Sequence, residues 1–179
     1  METRLAKLSA GRSGGTASAK SKNYKMSLPT TWVEQLGLNE NNRDLELSFD
    51  GDRIIITPRF SPEELISRAI KQGHKLYKFS FFDKDKLCTR IYADFTEKRL
   101  RAENFTDNFV KTAFGNNEFP SWEDFLEFLE ERCIPKSRSG LREYLEAIGA
   151  DSSNPLDILS ITQGKMAEDD QRLIMEVLK

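Results

Sequence analysis

The N-terminal third of the chain alternates between apolar and polar positions, which predicts strands. Glu2 to Leu8 alternates around Leu5 and Leu8, and Lys22 to Leu28 alternates with Tyr24, Met26 and Leu28 on one side. Pro29 ends the second run because it lacks a backbone donor. Between them, Ser9 to Ser21 holds Gly11, Gly14 and Gly15 with no apolar period, so a loop is expected. Thr30 or Thr31 can cap a short helix carrying Trp32, Val33 and Leu36, closed by Gly37. Leu45, Leu47 and Phe49 then alternate with Glu46 and Ser48, Asp50-Gly51-Asp52 makes a tight turn, and Arg53 to Thr57 returns. Pro58 punctuates the end of that hairpin.

Ser61-Pro62-Glu63-Glu64 combines a capping residue, a proline at the first helical position and a glutamate at the third. The apolar stripe Leu65, Ile66, Ala69, Ile70 continues that helix to Gly73. Lys75 to Phe82 and Leu87 to Phe95 alternate as strands about an Asp83–Lys86 turn, and Leu100 to Phe105 completes a three-stranded meander. From there the period becomes helical. Thr106 starts one expected helix through Phe109, Val110 and Ala113, and Ser121 starts another through Trp122, Phe125, Leu126, Phe128 and Leu129. Leu141 to Ile148 and Pro155 to Ile161 supply two more, with Ile174, Val177 and Leu178 packing back on them. The expected fold class is α+β. Three segments are expected: 1–59 as a β-rich domain, 60–105 as helix plus meander, and 106–179 as an acidic helical region.

Charge sharpens this division. The 179 residues carry a net charge of −2, yet residues 1–31 hold six cations against one anion, while residues 103–179 hold sixteen anions against eight cations. Such a basic head and acidic tail point to two binding surfaces. The head offers Arg4, Lys7, Arg12, Lys20, Lys22 and Lys25, with hydroxyls such as Ser13, on a Gly/Ser-rich backbone suited to phosphates. The tail offers Glu123, Glu127, Glu130 and Glu131, spaced to share one broad helical face. Lys136 and Arg138 add a basic loop between helices. The expected partners are double-stranded DNA and a second copy of the chain, since a unit of roughly 50 residues buries too little to stand alone.

Enzymatic chemistry finds little support, and no cofactor or metal is expected. Two cysteines, Cys88 and Cys133, and one histidine, His74, exclude a four-ligand zinc site built of those types. Gly11-Arg12-Ser13-Gly14-Gly15 lacks the Gly-Lys-Ser/Thr of a phosphate-binding loop. Glu168-Asp169-Asp170 are adjacent carboxylates that do not converge from a single element. Cys133 is expected to be a buried structural thiol and His74 a surface or capping residue. No apolar run reaches the roughly 20 residues of a membrane span, so the expected location is the cytoplasm, with no membrane partner.

Two stretches of residues 1–59 carry a resemblance. Lys25-Met26-Ser27-Leu28-Pro29 followed by Trp32-Val33-Glu34-Gln35-Leu36-Gly37-Leu38, and Leu45 to Pro58 as a whole, resemble the AbrB/SpoVT swapped-hairpin DNA-binding family. The resemblance implies an interleaved homodimer with the basic residues of both copies on one face, and hence a transcription regulator. The Gly/Ser insertion departs from the family pattern. Further on, Thr89 to Asp94, Ala113-Phe114-Gly115 and Arg132 to Arg138 resemble proteins of phages and mobile elements in Firmicutes. That setting includes anti-CRISPR proteins, which implies an alternative role: inhibition of a Cas9-type nuclease by binding the effector with its guide RNA, or its DNA path. The acidic helices would then meet a cationic groove.

Overall fold

A computed structural model describes residues 2–12, 22–133, 140–167 and 169–179. The chain divides into two units, Met1–Arg59 and Phe60–Lys179. It is an α+β protein whose strands form small antiparallel sheets.

Among its described residues the first unit has two separately paired hairpins and a short helix. β1 (Ser9–Arg12) pairs with β2 (Lys22–Lys25), and β3 (Leu45–Phe49) pairs with β4 (Ile54–Pro58). Asp50 locks the second turn, accepting from the backbone of Asp52 and Arg53 and pairing with the Arg53 guanidinium at 2.9 Å. Those hydrogen bonds, led by the one from the Arg53 amide, hold its carboxyl below the ordinary range. α1 (Thr30–Gln35) runs to a left-handed turn at Gly37, where φ is +75° and glycine avoids a Cβ clash.

Two expectations fail in this unit. Glu2 to Leu8 makes no strand, and Leu5 is fully exposed; the partner of β2 is Ser9–Arg12, inside the segment expected as a loop. Alternation is a poor guide there because residues 2–8 are all exposed. Pro29, and not Thr30 or Thr31, caps α1, without a side-chain hydrogen bond.

The second unit is a four-stranded antiparallel sheet in the order β7-β6-β5-β8, with helices on it. Its strands are β5 (Leu76–Asp83), β6 (Lys86–Asp94), β7 (Arg99–Asn104) and β8 (Gln171–Val177). One face carries Phe79, Phe81, Ile91 and Leu173 against Phe125, Phe128 and Leu129 of α3 (Trp122–Glu131) and Leu159 of α5 (Pro155–Thr162). Phe79 meets Phe125 edge-on at 5.3 Å, and Phe81 meets Phe128 at 5.4 Å. Each such ring contributes about 1.5–3 kcal/mol by leaving water. A bulge at Phe81/Phe82 adds one residue to β6 and places Cys88 in the core.

α2 (Pro62–Gln72) starts with the predicted reciprocal cap: Ser61 Oγ accepts from the Glu64 amide, and Glu64 accepts from the Ser61 amide. It buries Leu65 and Ala69 and lies against β5, β6 and β7. α3 has the same device, with Ser121 and Asp124 exchanging hydrogen bonds. α4 (Leu141–Ile148) contacts α5.

Three corrections concern the C-terminal half. The helix expected after Thr106 is one 3-10 turn, Phe109–Lys111, capped by Asn108. Thr112 ends it by going extended and donating its hydroxyl to the Phe109 carbonyl. The last apolar residues form β8, the neighbour of β5, so residues expected in two segments share one sheet. The adjacent Ile174 and Met175 obscure its alternation. α3 and α5 are therefore a layer on that sheet and do not make a bundle of their own.

Candidate nucleic-acid interface and acidic helix

The first unit keeps many of its apolar side chains in solvent. β3–β4 register sets Leu47 opposite Ile56 and Phe49 opposite Ile54, so these four share one hairpin face. Leu47 is 66% exposed, and Phe49 and Ile54 are each 70% exposed. Leu8, Tyr24, Met26, Leu36 and Ile55 are exposed as well, and Leu38 is the large apolar residue that is buried.

The same unit carries the predicted cations. Arg4 and Lys7 stand exposed in the extended N-terminal segment, and Lys22 and Lys25 stand exposed on β2. Pairing sets positions 9 and 25 opposite each other, and likewise positions 12 and 22, so two basic positions face across the hairpin end. Trp32 of α1 fixes the N-terminal segment: Arg4 lies over its ring at 5.7 Å, and its indole N–H donates to Glu2 at 2.7 Å. Sequence reasoning missed this clamp; its signal is a tryptophan on a helix too short to bury it. Ser13, Lys20, Lys136 and Arg138 lie outside the described residues, and β1 ends at Arg12, whose backbone alone is described.

On the second unit, Glu123, Glu127, Glu130 and Glu131 lie along α3, as its amphipathic pattern predicts. Asp124 sits beside them and caps the helix. It accepts from the Ser121 amide at 2.7 Å and the Asn117 side chain at 3.1 Å, and these bonds, Ser121's first, depress its pKa. A cavity of about 170 Å³ lies beside the helix, with Ala113, Phe114 and Phe128 as its apolar lining and Asn117, Asp124, Glu127 and Glu131 as its polar lining.

Cys133, His74, Asp169 and Asp170 make contacts within the fold. Burial, and secondarily Glu130, pushes the Cys133 thiol up to about 11, which disarms it as a nucleophile. His74, expected as a surface or capping residue, is half-buried, and its amide closes α2 by donating to the Ala69 carbonyl. Its Nδ1 is 2.7 Å from Asp94, whose other oxygen accepts from Thr96 and Glu97 and so fastens the β6–β7 turn. Asp169 pairs with Arg132 at 2.9 Å and Asp170 with Lys84 at 3.6 Å, which directs those two carboxylates to different cations. Among the described residues no group of three or more His, Cys, Asp or Glu is arranged to hold a metal ion. Nor is any helix among them long and apolar enough to cross a membrane.

No protein-family model, curated protein or solved structure matches the chain.

Proposed function

We propose that this chain is a homodimeric DNA-binding regulator of a phage or mobile element, with an AbrB-like swapped-hairpin module in residues 1–59. The observation that carries the reading is the apolar face of β3–β4 left in solvent in the unit that also carries the exposed cations. Two hairpins and a six-residue helix make a poor core alone. A second copy laid on Leu47, Phe49, Ile54 and Ile56 completes one and doubles the count of Arg4, Lys7, Lys22 and Lys25. Those cations contact phosphates more than bases, so they set affinity and leave sequence choice to other features.

The test is duplex binding as a function of salt. Wild type should lose affinity steeply between about 50 and 200 mM salt, and a variant with Arg4, Lys7, Lys22 and Lys25 changed to Ala should bind weakly with a flatter slope. Unchanged binding by the folded variant would remove the basic head as the site.

The four glutamates of α3 favour one alternative, an anti-CRISPR protein whose acidic helix enters the cationic groove of a Cas9-type nuclease. A cleavage assay with nuclease, guide RNA and target DNA separates the two readings. Inhibition that survives loss of the head cations supports the inhibitor, and a specific duplex footprint without inhibition supports the regulator.

A further inference from the structure

The four-stranded sheet has a second face, away from its aromatic core, and the register places Glu103 of β7, Arg90 of β6, Ser80 of β5 and Ile174 of β8 in one row across it. Other cations near that row already have acceptors. Lys78 pairs with Glu176 at 2.8 Å, Arg172 lies 3.4 Å from Asp85, and Arg101 donates to the Phe60 and Leu100 carbonyls.

Arg90 is different. Its guanidinium lies over the Phe105 ring at 5.0 Å, and no described residue accepts a hydrogen bond from it. Its Nε is the one buried side-chain nitrogen or oxygen without a partner among the described residues. Buried donors are almost always satisfied, and one that is not calls for an acceptor. Directly across the strand pair, Ser80 is only 8% exposed, and its hydroxyl makes no hydrogen bond among the described residues. Two neighbouring groups able to donate, one of them cationic, thus lack an acceptor among the described residues on the same face.

We infer that Arg90 and Ser80 form a binding site for an oxyanion, a carboxylate or a phosphate group, at the centre of this second sheet face. The stack on Phe105 restrains the guanidinium plane. An oxyanion in the row accepts from the Nε–Nη edge in a forked pair and from the Ser80 hydroxyl, which gives Nε the acceptor it lacks. Glu103, next across on β7, limits the charge that fits and sets a preference for singly charged ligands. This site belongs to the second unit and is independent of the DNA-binding reading.

The test is titration of the full chain with inorganic phosphate and, separately, with acetate, at constant ionic strength made up with chloride. The Arg90 Nε–H resonance is followed by NMR and the unfolding midpoint by calorimetry. At least one anion should shift that resonance saturably and raise the midpoint by about 2–4 °C. A response to phosphate alone assigns a phosphoryl ligand, and a response to acetate alone assigns a carboxylate. Ser80→Ala should weaken binding about 5- to 10-fold, and Arg90→Gln should abolish it. If Arg90→Gln does not fold, the wild-type resonance and Ser80→Ala still decide. A resonance that neither anion moves, a thermal gain equal in Arg90→Gln, or unchanged affinity in Ser80→Ala would overturn the proposal.

Discussion

The two units handle their apolar residues in opposite ways. In the second, Phe79, Phe81, Phe125, Ile91, Leu159 and Leu173 are all 2% exposed or less, locked between sheet and helices. In the first, Leu47, Phe49 and Ile54 are about two-thirds exposed or more, and among the described residues no helix or sheet of that unit covers them. Both stretches have good alternation and strong β-formers, so local propensity is not the difference. The difference is whether one copy of the chain brings a second layer to the strands. In the second unit α3 and α5 are that layer. In the first unit, the dimer we propose draws that layer from another copy.

The largest effect expected from breaking this contrast is in the second unit. Phe125 is fully buried and meets Phe79, Phe95 and Trp122, so Phe125→Ala should cost about 3–5 kcal/mol in chemical denaturation. A cost under about 1 kcal/mol would mean that the core is not packed as described.

Next is Leu47→Asp. On a solvent-facing monomer such a change alters stability by no more than about 0.5 kcal/mol. Under a second copy it buries a charge, and the dimer should dissociate at least about 100-fold more readily in sedimentation, equivalent to roughly 2.7 kcal/mol.

The caps are worth less. Ser121→Ala removes the side-chain half of the α3 cap and should cost about 1 kcal/mol. The cap also carries a pH signature. Asp124 has its pKa depressed in the folded state, chiefly by the Ser121 amide, so its contribution is full above the ordinary value of 3.8. It is lost as pH falls through the depressed value. Asp124→Asn should therefore flatten the acid limb of the stability curve, as measured by denaturation between about pH 2 and 6.

The smallest effect concerns Cys133, whose thiol sits near 11. Iodoacetamide at about pH 7.5 should label it far more slowly than the unfolded chain, and fast labelling would contradict its raised pKa and partial burial.

How legible these features are in the sequence follows the same contrast. The α2 cap and the β3–β4 turn can be read because Ser61, Pro62, Glu64 and Asp50-Gly51-Asp52 act over a few residues. β8 cannot, because its place beside β5 is fixed by contacts about ninety residues away in the chain. The glutamates of α3 are legible from helical spacing. The Trp32 clamp and the His74–Asp94 pair are not, since each joins residues separated by twenty or more positions. The orphaned Arg90 leaves no sequence signal, because its lack of a partner arises only when strand pairing sets its neighbours.

The central claim is that the first unit is completed by a second copy, and its most direct test is sedimentation equilibrium of the full chain at micromolar concentration. The proposed dimer predicts a species of twice the 20.6 kDa chain mass, reduced to single chains by Leu47→Asp. A strict monomer for wild type under those conditions would contradict it.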